Sequence, residues 1–458
     1  MRIHLIAIGG ALMHSLAISL QRSGHIITGS DDEIYEPARS NLSQAGILPD
    51  TGWREENIHS GLDIIILGMH ARKDNPELLK AKQLGIKIVS YPQFLYEMSQ
   101  NKLRIVVAGS HGKTSTTAAI MHLLAVAGMS FDYAVGAKLA NFDNMVQLSD
   151  APIIVIEGDE YLSSAEDLRA KFLHYRPNML VLTGISWDHI NVFPSFEQYK
   201  QPFVELLQTL APNSQIFYYE KDTVIGELLA YVNKEQVAVE PYSGFDYYIN
   251  DEQKTVAKVE NREAELAVFG QHNLQNLQAA YKVGKRLNIP YEKLLEGLSS
   301  FEGASKRLEK IHQSADKKFI LFKDFAHAPS KVRATVAAVR TQFADYRLVV
   351  AYELHTFSSF NPAFLPEYKG SLAQADTAYL YYNPSTLSKE RVLAEGELLS
   401  ENFLKACFDR DDLIVRVDVL SLWRDLGTNC QNRPVVLLMM SSGNWDNASL
   451  EELATGEN

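Results

Sequence analysis

The sequence predicts an α/β protein of three domains, each built around a largely parallel sheet. Short apolar runs alternate with helical stretches from the amino end, beginning with IHLIAI, ALMHSLAISLQRSG and HIITGSD, and this alternation is typical of βαβ units. The 458 residues correspond to roughly three domains of about 150 residues. Polar stretches near 99–103 and 303–310 separate the sets of units, so we expect domains at 1–100, 101–303 and 304–458.

The composition argues against several classes of partner. The 44 basic and 56 acidic residues leave a net charge of −12, so a surface for DNA or RNA would form against the protein's own field. Only Cys407 and Cys430 occur, which argues against a disulfide framework and a cysteine zinc site. Apolar runs are shorter than the roughly 18 residues that span a bilayer. We therefore expect a cytoplasmic protein without nucleic-acid or membrane-inserted contacts.

A phosphate-binding loop is the strongest local signal. The strand RIVVAG leads into a turn with two glycines, and the following helix stops at Gly128. Turn glycines let N–H groups converge on phosphate oxygens, a lysine adds charge, and a threonine hydroxyl can bind magnesium. The match to G-x-x-x-x-G-K-[ST] is incomplete, because Val107 occupies the first glycine position. The predicted nucleotide-binding residues are Gly109, Ser110, His111, Gly112, Lys113, Thr114 and Ser115.

Carboxylates and a histidine follow two later apolar strands. Glu157 lies in IIVIEGDEY, just before Asp159 and Glu160, and His189 follows NMLVLTGIS in the triplet WDH. Ligands of α/β enzymes bind beyond the carboxyl ends of the strands, and oxygen or imidazole groups there suit a divalent ion. A solvated acidic loop and a hydrogen-bonded structural histidine are the alternatives.

Polar groups later in the chain each have two interpretations. Asn273 and Asn276 lie three residues apart on one side of a helix start, where they either read an adenine edge or cap the helix. Arg307, Asp324 and His327 lie at the junction into the third domain. An arginine from another domain could neutralise charge on a transferred phosphoryl group, whereas a surface arginine at a domain joint is the ordinary alternative.

In this order, the motifs resemble those of the Mur ligase family, the ATP-dependent amide-forming enzymes of bacterial peptidoglycan. The resemblance covers nearly the whole chain and rests on IGGALMHSLA, TGSD, AGSHGKTS, EGDEY, WDHINVFPS, GQHNLQN, SKRLE and DFAHAPS. It implies a Rossmann-like N-terminal domain for a UDP-sugar, a central P-loop ATPase domain and a Rossmann-like C-terminal domain for the amine. The implied cofactors are ATP and Mg²⁺, and we expect a monomer or a weak homo-oligomer.

Within the family, the GG loop, GSD and EGDEY resemble the branch that acts on UDP-N-acetylmuramate. IYEPARSNL and AKFLHYRPN are closer to the ligases that attach a recycled tripeptide, L-alanyl-γ-D-glutamyl-meso-diaminopimelate. The expected reaction activates the lactyl carboxylate as an acyl phosphate with ATP, and an amine then displaces phosphate. Addition of L-alanine in peptidoglycan biosynthesis is the alternative.

The resemblance also implies roles for individual residues. It gives catalytic roles to Lys113, Glu157, His189 and Arg307; magnesium binding to Thr114, Glu157 and His189; nucleotide binding to Asn273, Asn276, Arg307 and Asp324; and substrate binding to Gly9, Gly10, Ser30, Asp31 and His327.

Several segments depart from the family pattern. Val204 lies near the position where several members carry a carbamylated lysine. ELHTF at 353–357 and SSGNWDN at 441–447 replace the motifs expected at the amine site, so the amine stays open. DNPE at 74–77 lies in the first domain and is not taken as a diaminopimelate-recognition motif.

Two other function classes explain fewer of these motifs. A nicotinamide-dependent oxidoreductase would account for the first strand, its glycine loop and Asp31, but IGGALM lacks G-x-G-x-x-G. A noncatalytic nucleotide switch would account for the phosphate loop without requiring a sugar substrate. Neither explains the complete ordered set.

Overall fold

The structure, a computed structural model, describes residues 1–139, 141–187, 192–304, 307–385, 399–429 and 434–450. The chain forms two compact units that are interleaved in sequence. Unit 1 takes 1–185, 196–243 and 276–298, and unit 2 takes 186–195, 244–275 and 299–458. The three domains expected from the sequence, with boundaries at 100 and 303, stay a prediction.

A four-stranded parallel sheet forms the amino end of unit 1. Its elements are β1 (Arg2–Ile6), α1 (Ala11–Arg22), β2 (Ile26–Ser30), α2 (Ala38–Gln44), β3 (Ile64–Leu67), α3 (Pro76–Leu84), β4 (Ile88–Ser90) and α4 (Tyr91–Met98). The strand order is β2-β1-β3-β4. Local sequence sets the helix ends: α3 begins where Asn75 accepts the N–H of Glu77 and Leu78, and stops at Gly85, whose φ is 65°. Both are common helix-end devices.

A seven-stranded sheet forms the rest of unit 1. Its strands and the helices around it are β5 (Leu103–Ala108), α5 (Lys113–Val126), β6 (Asp132–Ala134), β7 (Val146–Gln147), β8 (Ile153–Gly158), α6 (Phe172–Tyr175), β9 (Met179–Leu182), α7 (Phe196–Gln208), β10 (Gln215–Tyr219), α8 (Thr223–Leu228), β11 (Ala238–Tyr242), α9 (Gln271–Arg286) and α10 (Tyr291–Ser300). The order is β11-β10-β9-β5-β8-β6-β7. Because β8, β5 and β9 are adjacent and parallel, their carboxyl ends meet at one edge, where α/β proteins bind ligands.

Arg104, in β5, ties the two sheets of unit 1 together. Its side chain is 9% exposed and its guanidinium lies 5.5 Å from the centre of the Tyr96 ring in α4. Its hydrogen bonds reach the carbonyls of Ser99, Gln100, Lys102, Tyr175 and Arg176. One buried cation therefore joins the last helix of the first sheet, the connecting segment and the end of α6.

Unit 2 contains an antiparallel and a mainly parallel sheet. Its elements, besides the start of α9 and the end of α10, are β12 (Asp246–Ile249), β13 (Thr255–Val259), β14 (Arg262–Leu266), β15 (Glu309–Gln313), β16 (Phe319–Asp324), α11 (Pro329–Gln342), β17 (Arg347–Glu353), α12 (Phe357–Phe360), β18 (Thr377–Tyr381), α13 (Glu401–Phe408), β19 (Ile414–Arg416), α14 (Val419–Asn429) and β20 (Val435–Met440). The small sheet is β12-β13-β14, and the large one is β15-β16-β20-β17-β18-β19. β20 is buried along its whole length, and its side chains alternate between two apolar clusters, one on each face.

The predicted α/β class with parallel sheets is confirmed. The antiparallel pairing of β12, β13, β14 and β15 was not predicted, because three of these strands, β12, β14 and β15, are polar and only partly buried. Within the part of the chain that the structure describes, no helix has both the length and the apolar character needed to cross a membrane.

Candidate active site

The phosphate loop lies between β5 and α5, at the carboxyl edge of the seven-stranded sheet. Gly109 and Gly112 have φ angles of 139° and 75°, which residues with side chains rarely adopt. A Cβ on Gly109 would lie 2.8 Å from the carbonyl oxygen of Gly184. The N–H of Ser110 donates to that same oxygen at 2.7 Å. The loop therefore requires glycine at both positions, and α5 begins directly afterwards at Lys113.

Asn276 of α9 packs against this loop. Its Oδ1 accepts the hydroxyl of Thr116 at 3.1 Å, and a Cβ on Gly112 would lie 2.5 Å from the same oxygen. The asparagine is buried. The structure thus brings Asn276 to the start of α5, while a contact with the nucleotide base stays a prediction.

Lys113 is held inside the loop by an ion pair. Its Nζ donates to Oε2 of Glu160 at 2.7 Å and to the Gly109 carbonyl at 2.6 Å. Glu160 is fully buried and also accepts the hydroxyl of Tyr199 at 3.1 Å. Burial opposes the ammonium charge, but the surrounding carboxylates, Glu160 foremost, outweigh burial and raise the pKa of Lys113. The lysine is therefore a fixed, protonated group at this edge.

Thr114 and Glu157 meet beside the lysine. The threonine hydroxyl donates to Oε1 of Glu157 at 2.8 Å, and the Gly136 N–H donates to Oε2 at 2.8 Å. Hydroxyl and carboxylate oxygens are the ligands that Mg²⁺ prefers, so these two residues fit the ion that accompanies ATP. His189, the third ligand expected from the sequence, lies outside the described residues. Among the described residues, no group of three His, Cys, Asp or Glu side chains is arranged to hold a metal.

Two side chains fix the glycine turn after β1. The N–H of Gly9 donates to Oδ2 of Asp31 at 2.7 Å, and Nδ1–H of His14 donates to the Gly10 carbonyl at 3.0 Å. Burial raises the pKa of Asp31 to about 6, although the Gly9 hydrogen bond opposes the rise. The turn lies at the carboxyl ends of β1 and β2, the edge at which the UDP-sugar is expected.

Ser30, predicted to contact substrate, directs its side chain into the interior. Its hydroxyl donates to Oε2 of Glu77 in a buried hydrogen bond. His4 lies 3.2 Å from the same carboxylate oxygen. Burial alone would raise the pKa of Glu77, but hydrogen bonds, including those from His4 and Ser30, lower it. The hydroxyl therefore stabilises the sheet, and a substrate role for Ser30 stays a prediction.

Arg307, in unit 2, lies over an aromatic ring. Its guanidinium carbon is 5.1 Å from the centre of the Phe325 ring, a distance suited to a cation–π contact. Burial, and then the charge of Arg307, lower the pKa of His272 to about 4. The imidazole is therefore neutral near Arg307 at neutral pH.

Asp324 and its neighbours order the backbone after β16. The Asp324 carboxylate accepts the N–H groups of Leu308 and Ala326, each at 2.6 Å. Its pKa is raised by burial, against the opposing charge of Arg307. Nδ1–H of His327 donates to the Phe325 carbonyl at 2.9 Å. These contacts are structural, and the nucleotide and substrate roles of Asp324 and His327 stay predictions.

Asn273 lies in the first turn of α9, within unit 2. Its Nδ2 donates to the Phe269 carbonyl at 2.9 Å, so the side chain binds the segment that precedes the helix.

The role of two residues at the phosphate loop was not foreseen. The sequence places Glu160 near Glu157 without indicating its partner, and it gives no functional signal for Tyr199. Tyr199 lies 39 residues beyond Glu160, and only the packing of α7 against the loop brings them together.

Comparison with known proteins gives consistent matches. The protein-family model described as "Mur ligase family, catalytic domain" matches residues 2–103, and the family model of the Mur ligase middle domain matches residues 107–284. The UDP-N-acetylmuramate–L-alanine ligase of Desulfitobacterium hafniense is 30% identical over 82% of this chain and 83% of its own length. The UDP-N-acetylmuramate–L-alanyl-γ-D-glutamyl-meso-2,6-diaminoheptandioate ligase of Haemophilus influenzae is 26% identical over 90% and 92%.

A solved structure gives the same fold. The UDP-N-acetylmuramate–alanine ligase of Thermotoga maritima aligns with a TM-score of 0.72 over 100% of this chain and 99% of its own, at 20% identity. The two domain matches span more than half of the chain, and the central one includes the phosphate loop, Glu157 and Asn276. The chain therefore belongs to the Mur ligase family, the ATP-dependent acid–amino acid ligases that work with Mg²⁺.

Proposed function

We propose that this chain joins UDP-N-acetylmuramate to L-alanyl-γ-D-glutamyl-meso-diaminopimelate in peptidoglycan recycling, the activity of a murein peptide ligase. The similarity to the Haemophilus influenzae ligase extends over more of the chain than the similarity to the Desulfitobacterium hafniense alanine ligase. The segments IYEPARSNL and AKFLHYRPN support the same assignment. Addition of L-alanine is the second candidate, because the alanine ligase has the higher identity.

Our proposal of the tripeptide as substrate rests on an exposed carboxylate at the sheet edge of unit 2. Asp446 follows β20 and accepts hydrogen bonds from the Tyr381 hydroxyl and from Nδ2 of Asn383, the latter at 2.9 Å. Trp445 and Asp446 both have φ of 52°, a strained conformation for residues with side chains. A fixed, accessible carboxylate suits the side-chain ammonium of diaminopimelate, and L-alanine has no such group.

A second carboxylate supports the shape of the same loop. Glu353, at the end of β17, is 2% exposed. It accepts the Ser441 hydroxyl and, at 3.3 Å, the Trp445 N–H. His355 lies 3.7 Å from its other oxygen. The unusual ELHTF and SSGNWDN segments therefore form one connected structure at the strand ends.

In the proposed reaction, the lactyl carboxylate oxygen bonds to the γ-phosphorus of ATP as the bond to ADP breaks. The amine nitrogen then bonds to the acyl carbon, and phosphate leaves with the acyl–oxygen electron pair as the nitrogen loses a proton. Lys113 and the loop N–H groups would bind the phosphates, and Thr114 with Glu157 would hold Mg²⁺, which neutralises phosphate charge when bound. These residues position anions and form no covalent intermediate.

Phosphate release from ATP tests the proposal directly. The purified chain is given UDP-N-acetylmuramate with either L-alanine or the tripeptide. Release with the tripeptide alone is expected. Release with L-alanine alone would assign the chain to peptidoglycan biosynthesis, and release with neither would contradict both assignments.

The role of Asp446 is tested with two tripeptides. Asp446→Asn is expected to raise KM about tenfold for the diaminopimelate tripeptide, consistent with loss of a charge-assisted hydrogen bond. It should leave KM unchanged for an analogue that ends in norleucine, which lacks the ammonium. Asp411→Asn, an exposed carboxylate elsewhere in unit 2, is the matched control. Equal effects on both tripeptides would contradict ammonium recognition.

A further inference from the structure

We propose that Glu160 and Tyr199 are positioning residues that orient Lys113 toward the third phosphate of ATP. The proposal rests on the nucleotide-binding role proposed for Lys113, and it holds whichever amine the enzyme uses.

The carboxylate of Glu160 and the phenol of Tyr199 contact the loop at two points. Glu160 binds Nζ of Lys113 through Oε2 and the Tyr199 hydroxyl through Oε1. The same hydroxyl lies 2.7 Å from Oγ of Ser110. Glu160 and Tyr199 are fully buried, and Ser110 is 4% exposed. The contacts therefore link both ends of the Ser110–Lys113 turn to groups outside it.

The ion pair fixes a direction as well as a position. An ammonium has three N–H donors, and Lys113 directs two of them to Glu160 and the Gly109 carbonyl. These two bonds set the direction of the third. Ordering a lysine side chain costs conformational entropy, and here that cost is met before nucleotide binds. A phosphate-loop lysine reaches the β- and γ-phosphates, so its orientation should matter most for a nucleotide with three phosphates.

Packing holds the Tyr199 ring independently of its hydroxyl. The ring centre lies 5.7 Å from that of Phe203, which in turn lies 5.1 Å from Phe172. Tyr199→Phe therefore removes one oxygen and leaves these apolar contacts. Glu160→Gln likewise keeps the side-chain shape and removes the charge.

Equilibrium binding of nucleotide alone provides the first test. With Mg²⁺ present, Glu160→Gln is expected to raise Kd about five- to tenfold for a non-hydrolysable ATP analogue and less than twofold for ADP. Tyr199→Phe should act in the same direction with a smaller effect. Equal weakening for both nucleotides would indicate general damage to the loop. Tighter binding of both would indicate that the Glu160 charge only repels the nucleotide phosphates. Either result would overturn the proposal.

The neighbouring ion pair supplies a matched control. Asp159 binds Nζ of Lys171 at 2.9 Å, so Asp159→Asn removes a nearby charge without touching Lys113. It is expected to leave the ratio of analogue Kd to ADP Kd unchanged. A changed ratio would mean that nearby charge, rather than contact with Lys113, sets the preference, which contradicts the proposal.

A double-mutant cycle separates positioning from fold support. In a Lys113→Ala background, Glu160→Gln should change the analogue Kd by less than twofold, because contacting residues that act together are not additive. The same effect in both backgrounds would contradict the proposal. Because neither sugar nor amine is present, a wrong amine assignment leaves these results unaffected. A Lys113→Ala variant with unaltered Kd for both nucleotides would overturn the nucleotide role itself.

Discussion

Thr114 donates its hydroxyl hydrogen to Oε1 of Glu157 across 2.8 Å, so the first turn of α5 and the end of β8 meet at one hydrogen bond. A metal ion that binds both oxygens must replace this contact. The hydrogen bond therefore holds the two oxygens together before an ion binds. Substitution of either residue tests whether the two oxygens bind the metal.

Glu157→Gln is expected to raise the Mg²⁺ concentration that half-saturates ATP-dependent phosphate release, by about tenfold, because a neutral amide is a poorer ligand for a hard cation. A magnesium titration at saturating ATP measures it. His189→Ala should raise the same requirement. Glu197→Gln, whose side chain is 81% exposed, is the control. An unchanged titration would remove the altered residue from the metal site.

Lys113→Ala is expected to lower kcat/KM for ATP at least about a hundredfold, since it removes the positive charge that we propose binds the transferred phosphate. The variant leaves Glu160 buried without its cation, so circular dichroism and thermal unfolding must accompany the kinetics. Lys318→Ala, an exposed lysine, is the control. Unchanged turnover in a folded Lys113→Ala protein would contradict the assignment of the loop.

Gly112→Ala and Gly128→Ala form a matched pair. Both glycines have positive φ, 75° and 69°, so each substitution is expected to cost roughly 1–2 kcal/mol of backbone strain. A Cβ at Gly128 would meet nothing within 4 Å, whereas one at Gly112 would press on Oδ1 of Asn276. We therefore expect only Gly112→Ala to weaken nucleotide binding, by more than tenfold in a titration with ADP. Similar ADP affinities for both variants would contradict this geometry.

Asp31 should give unfolding a specific pH dependence. Burial raises its pKa from 3.8 to about 6, so the folded state binds this proton more tightly than the unfolded chain. Stability from the protonated carboxyl is complete below about pH 3.8 and is lost as pH rises to about 6. The free energy of unfolding of the wild type relative to Asp31→Asn should therefore fall between pH 4 and 6 and stay level above.

Urea unfolding at half-unit steps of pH measures this difference. Asp50→Asn, whose side chain is 84% exposed, should show no such slope. A relative stability that rises with pH would mean that the Gly9 hydrogen bond outweighs burial at Asp31.

The buried parallel strands could be predicted from the sequence, because continuous apolar runs such as IIVIEG have few other stable environments. The phosphate loop could be predicted because its glycines and lysine occur at a fixed spacing between a strand and a helix. The exclusion of DNPE as a diaminopimelate motif stays a prediction, because it depends on the predicted first domain. In the structure, Asn75 caps α3, and Glu77 is buried against Ser30 and His4.

The partners of buried polar groups could not be predicted in the same way. Ser30 follows the pattern of a ligand-binding strand end, yet its hydroxyl turns toward Glu77, 47 residues later. The pairing of Glu160 with Lys113 depends on the register of β8 beside β5, and that register is a property of the assembled sheet. Local pattern identified which residues lie at strand ends, but tertiary packing determines what each one binds.

The segment near residue 100 has the polar composition of a flexible linker, yet its hydrogen bonds to Arg104 make it rigid. The Arg104 guanidinium donates to carbonyls on both sides of this segment and lies beside Tyr96. Bending the segment would break these hydrogen bonds and leave a buried cation and several carbonyl groups without partners, which is costly in free energy. The glycine turn after β1 and the phosphate loop after β5 therefore belong to one stiff body. The distance between these two glycine turns is therefore expected to stay constant while ligands bind and leave.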